Sequence, residues 1–172
     1  MFTYKENKTI ITFMNANELK LHLDNKDENL CTSDIGYVTL PMLMLSEKLL
    51  AKIATLLEEK YSMSNSQLDV LASLHSANEE NYTLSPTKLY ERLFFSSGGM
   101  TKVLKKLEKK EFINRLDNIE DKRSKLVQLT QTGREILEKS LADVIELEEL
   151  MFASLNTEDR KYLSSLLFKV LE

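Results

Sequence analysis

The sequence predicts a mainly α fold carrying one small β-hairpin, and three observations lead there. Only four Gly and two Pro are spread over 172 residues, too few for a turn-rich β architecture. Apolar residues recur at steps of three and four along several stretches, the period of one helix face. Between two of those stretches, Phe112 to Leu116 and Leu126 to Leu129 read as short strands around a long, polar, charged tip. With 42% hydrophobic and 29% charged residues, the composition is that of an ordinary globular protein. The length suits one large domain or two intimately packed small ones.

Residues 1–33 are expected to form an N-terminal arm. Thr9 to Met14 reads as a short strand and Ala16 to Leu23 as a turn or two of helix without a clean stripe; His22 is expected at its surface. Asp34 to about Tyr61 reads as a long helix, with Ile35, Val38, Met42, Leu45, Leu49, Ile53 and Leu56 on one face. Pro41 should either kink it or mark its effective first turn. A second helix opens at Ser64, where Gln67 three residues on completes a capping box, and Leu68, Leu71 and Leu74 supply its buried side. His75 falls at its end, where a cation is favoured near the carbonyl terminus.

Tyr82 to Leu84 is short and extended. Ser85-Pro86 then opens a third helix, since proline's missing amide is harmless in a first turn. Ser96 and Ser97 start a fourth, with Met100, Val103, Leu104 and Leu107 as its apolar side and Thr101, Lys102, Lys105, Lys106 and Lys109 largely opposite. At most four or five residues separate these two helices, as a helix-turn-helix requires. After the hairpin, Thr130 caps a fifth helix expected to run to about Leu155. Asn156-Thr157 caps a last one with a stripe of Leu163, Leu166, Leu167, Val170 and Leu171. That stripe must be buried against something else. The first long helix and the last two are the natural partners, and pairing with a second subunit would bury all three.

Charge locates the function. Net charge is −4 over the whole chain. Between Ser96 and Lys125, however, seven Lys and two Arg face five acids, a net +4, so the remainder carries −8. An acidic body with one basic segment is the footprint of a polyanion held in one place. A helix pair followed by a basic hairpin is also the layout of a winged helix-turn-helix, in which one helix enters a DNA groove and the hairpin reaches the next. Lys122, Arg123 and Lys125 at the tip suit a narrow groove. Gly98-Gly99 would let the backbone of the fourth helix approach a phosphate or base edge, but the pair has the spacing of neither a P-loop nor a dinucleotide fold.

Other classes find little support. Two distant histidines, one cysteine and no ligand cluster leave no nucleophile–base pair and no metal site, so neither an enzyme nor a cofactor is expected. A single cysteine makes no internal disulfide and fits a reducing cytoplasm. The first residues lack a signal peptide's apolar core, and no stretch approaches the roughly 20 apolar residues of a membrane helix, so a cytoplasmic protein without a membrane partner is expected.

Two segments carry a family resemblance. DKRSKLVQLTQTG, Asp121 to Gly133, fits a wing signature of Asp-x-Arg, a strand, then Leu-Thr-x-x-Gly. SSGGMTKVLKKLEKKEFINR, Ser96 to Arg115, is similar to the recognition helix and first wing strand of the same proteins. These are the MarR (multiple antibiotic resistance regulator) family of bacterial transcription regulators, which the chain resembles from Ser64 to about Ser140. The resemblance implies a mostly helical homodimer with two winged helix-turn-helix lobes, residues 62–133, and a dimerisation region of residues 34–61 and 134–172. Ser96, Ser97, Gly98, Thr101, Lys102 and Lys105 would face the major groove and Arg123 the minor groove. Asp121 would orient that arginine or brace the wing, and Arg115, Lys122 and Lys125 would contact phosphates. The implied function is sequence-specific binding of a pseudo-palindromic double-stranded operator, most simply as a repressor released by a small aromatic or phenolic effector.

Two alternatives stay open at this point: a protein-interaction module that keeps the winged fold without reading DNA, and a redox-sensing regulator using Cys31. One departure from the family is structural. Members usually have glycine where Glu111 stands, and a left-handed backbone there would cost about 1 kcal/mol.

Overall fold

The computed structural model describes residues 15–24, 36–77, 82–93, 97–118 and 125–172. The strand expected over 9–14, Cys31, Ser96, and the tip residues Asp121, Lys122 and Arg123 lie outside the described residues. The chain divides into two compact units, residues 1–52 and 53–172.

In the first unit, α1 (Ala16–Asp24) starts on an Asn15 cap. The Asn15 side-chain oxygen accepts the amides of Asn17 and Glu18, and the Asn15 amide donates to the Glu18 carboxylate at 2.8 Å. This reciprocal box explains a helix in a stretch whose apolar pattern shows no stripe. Leu19 is buried with Leu40 of α2 (Gly36–Tyr61), and Leu43 and Met44 pack on the pair. α2 is continuous through Pro41, so the proline lies inside the helix and not in its first turn. The stripe expected on α2 is only partly covered: Val38, Met42 and Leu45 are exposed, Leu49 and Leu56 half-buried and Ile53 buried, while Leu57 beside the stripe is fully buried.

The second unit is held by a core of Leu57, Met63, Leu71, Leu74, Leu89, Met100, Leu104, Leu107, Ile113, Val127 and Leu137, among others. α2 ends with Ser62 in the left-handed region at φ 50°. The amides of Ser62 and Met63 return to the Glu58 and Leu57 carbonyls, closing an αL-type C-cap over the buried pair Leu57 and Met63. α3 (Asn65–His75) carries the full Ser64–Gln67 capping box. α4 (Pro86–Leu93) begins on Ser85, whose hydroxyl accepts the Lys88 amide at 3.3 Å. α5 (Ser97–Lys109) follows. α3 packs against α4, α5 and α6 (Gln131–Met151), so it is the floor on which the helix pair stands.

The hairpin has a third strand. β2 (Ile113–Asp117) and β3 (Lys125–Leu129) pair antiparallel from Ile113 opposite Leu129 to Asp117 opposite Lys125. β1 (Thr83–Leu84) covers the other edge of β3, with Thr83 opposite Gln128, giving the order β1-β3-β2. Two residues suffice because Leu84 is buried along with Val127 and Leu129.

α6 stops at Met151, four residues before the expected Leu155. The Phe152 amide still bonds back to Glu148, but a turn over 152–155 intervenes before Asn156 caps α7 (Thr157–Leu171) by accepting the Asp159 amide at 2.9 Å. No residue of α7 is buried, and Val170 is 84% exposed. An open groove of about 440 Å³ lies between the ends of α6 and α7, lined by Phe152, Leu163, Leu167 and Leu171 among others.

Candidate nucleic-acid interface

α5 is two-sided in the way its sequence demands. Met100, Leu104 and Leu107 are buried and Val103 is half-buried, while Gly98, Thr101, Lys102, Lys105, Lys106 and Lys109 are exposed. Four lysines on one face of a 13-residue helix make a strip of positive charge anchored from behind by the core. A Cβ built at Gly98 would meet nothing within 4 Å, so among the described residues nothing requires glycine there. Ser97 is the first residue of α5.

The base of the wing carries Arg115, half-buried on β2, and Lys125 at the start of β3. Lys125 bonds the Asp117 carboxylate opposite it at 2.6 Å, an exposed cross-strand ion pair. Such pairs contribute little and are easily exchanged for another anion. Lys110, one of the nine cations of the basic segment, does not belong to the outward strip. Its ammonium donates to the Ser62 carbonyl at 2.6 Å and the Tyr61 carbonyl at 3.4 Å, and lies 5.8 Å from the Phe112 ring centroid.

Behind this surface is a set of polar ties that sequence reasoning did not single out. The Tyr61 hydroxyl donates to Asp143 at 2.6 Å and Lys60 joins it at 3.0 Å, linking the end of α2 to α6. The hydrogen bond to that carboxylate, together with burial, pushes the Tyr61 phenol up to about 12, and the same bond holds Asp143 below the usual carboxylate range. Burial raises Asp69 on α3. His75 stacks on Tyr82 with ring centroids 5.3 Å apart and planes at 4°, and Arg134 sits 5.7 Å from the same ring. That stack accounts for His75 as a packing residue at a helix end. A sequence signal existed only for the caps; the partners of Tyr61 and Lys110 lie 82 and about 48 positions away. Among the described residues, no cluster of His, Cys, Asp and Glu could hold a metal, and no helix is long and apolar enough to cross a membrane.

Comparison with known proteins decides the family. Residues 63–125 match the MarR family model. The reduced form of MarR from E. coli is 32% identical, with a TM-score of 0.63 over 74% of this chain and 94% of that one. The chain belongs to the MarR family. Among its relatives by sequence is the uncharacterized HTH-type transcriptional regulator YdgJ of Bacillus subtilis, 32% identical over 108 residues, which are 63% of each protein. The chain thus spans just under two thirds of that relative's length. The S. aureus MepR–DNA complex shares the fold, with a TM-score of 0.65 over 78% of this chain and 96% of that one at 23% identity. YdgJ bears the name of a transcriptional regulator, and the small antiparallel sheet on a helical body is the winged helix of the MarR fold.

Proposed function

We propose that this MarR-family chain is a sequence-specific DNA-binding transcriptional regulator that works as a homodimer. The observation that carries the proposal is the exposed Thr101, Lys102, Lys105, Lys106 and Lys109 face of α5, held rigid by its buried face and flanked by a wing. In this reading Ser96, Ser97, Gly98, Thr101, Lys102 and Lys105 meet the major groove. Arg123 enters the minor groove beside Asp121, and Arg115, Lys122 and Lys125 hold phosphates. Lys125 would leave Asp117 for a phosphate oxygen. Two copies related by a two-fold axis would read half-sites about one helical turn, roughly 34 Å, apart.

The homodimer draws support from large apolar side chains that stay exposed among the described residues: Val38 and Met42 on α2, and Leu166, Leu167 and Val170 on α7. Residues 34–61 and 134–172 are therefore assigned to dimerisation and 62–133 to DNA, with a cytoplasmic location and repression as the simplest outcome. A small aromatic or phenolic effector would act by favouring one spacing of the two lobes. The test is selection of binding sequences from a random duplex library with the purified protein. Enrichment of a pseudo-palindrome with helical-turn spacing is expected; a pool that stays random after repeated rounds overturns the proposal.

A further inference from the structure

We propose that Lys110 and Thr130 form a joint that sets the direction of the recognition helix and the wing together, which makes both of them positioning residues for DNA readout. The inference rests on the DNA-binding reading above. Its evidence is a convergence of three helix ends. α5 closes in a Schellman turn: the Glu111 amide bonds the Glu108 carbonyl at 2.9 Å and the Phe112 amide bonds Leu107 at 3.1 Å. Glu111 itself is left-handed at φ 59°. The whole change of direction from recognition helix to wing therefore occurs between Lys110 and Phe112.

Both sides of that corner are tied to other helices. Lys110 binds the carbonyls of Tyr61, the last residue of α2, and of Ser62 just beyond it. Thr130 binds from the start of α6. Its amide donates to the Phe112 carbonyl at 3.1 Å, and its hydroxyl donates to the Glu111 carbonyl at 2.7 Å while accepting the Gly133 amide at 2.9 Å. One hydroxyl thus uses its proton on the corner and a lone pair on the cap of α6. Gly133 completes the contact, because any Cβ there would fall on the Phe112 carbonyl. The α2 end and α6 are further linked by Tyr61, Lys60 and Asp143. The end of α2 and the start of α6 thus both grip this corner, and a displacement of either is carried to helix and wing as one piece.

The test uses full-length protein and two duplexes of equal length, one enriched by selection with the wild type and one scrambled. Thr130→Val removes the hydroxyl at nearly constant shape and charge. It is expected to weaken binding to the selected duplex at least about tenfold, the scale of an ordinary coupling, with less than about a twofold change on the scrambled duplex. Thr130→Ser should restore the wild-type ratio. Lys110→Met should lose discrimination in the same way without altering the salt slope of binding; a slope lower by about 1 would make Lys110 a phosphate contact and overturn its role. Parallel losses on both duplexes, or no loss on the selected one, overturn the joint. Should Thr130→Val not fold, Lys110→Met decides. If the wild type enriches no sequence, the DNA-binding reading fails, and amide exchange judges the joint. Exchange in β2 and β3 at least tenfold faster in Thr130→Val, with α3 unchanged, supports it; unchanged or uniformly faster exchange overturns it.

Discussion

Gly133 shows how much one hydrogen atom in place of a side chain can decide. A Cβ there would collide with the backbone carbonyl of Phe112 and crowd Leu129 at 2.9 Å. Backbone cannot step aside as a flexible side chain can, so Gly133→Ala should lower stability by about 1–3 kcal/mol in urea unfolding. Glu111 is the opposite case, a side chain where glycine would be easier. Its φ of 59° places a β-carbon in the left-handed region, and Glu111→Gly is expected to raise stability by up to about 1 kcal/mol, read as a higher melting temperature. The Leu-Thr-x-x-Gly signature is legible in the sequence, and so is the suspicion about Glu111. What the sequence does not reveal is that both residues serve the same corner, because Thr130 reaches Glu111 across 19 positions.

At the scale of elements, helix starts were the most legible features. Ser64, Ser85, Thr130 and Asn156 each accept an amide of the first turn, since a cap is a local bargain between residues three apart. Helix ends and pairings were less so. α6 stops at Met151 without a glycine or proline to announce it, and β1 becomes a strand only because β3 offers it an edge. The tie between α2 and α6 gives an element-scale prediction. The Tyr61 phenol sits at about 12, above its ordinary 10.0, so the folded state favours its protonated form. Its contribution is complete below pH 10 and is lost as pH rises through 12. The stability advantage of wild type over Tyr61→Phe, followed by chemical denaturation across that window, should therefore be flat up to about pH 10 and shrink beyond it. Asp143, held low, works in the other direction: its contribution is present above the usual carboxylate range and is lost as pH falls.

Over the whole molecule, charge and exposed apolar surface divide the labour. The basic strip belongs to α5 and the wing, and most of the exposed large apolar residues belong to α2, α6 and α7. The covered core could be read from periodicity, but exposure could not, because a stripe waiting for a second copy has the same spacing as one already buried. Light scattering should give the mass of a dimer, and Leu166→Glu with Val170→Glu should shift it toward the monomer, since both side chains are exposed in one copy. The salt dependence of binding to a selected duplex, measured for wild type and Arg123→Ala, tests the DNA-binding account most directly. The account predicts a steep fall of affinity with salt for the wild type, and a loss of about 1–3 kcal/mol when the wing arginine is removed. Salt-insensitive binding, or an affinity that Arg123→Ala leaves unchanged, would contradict it.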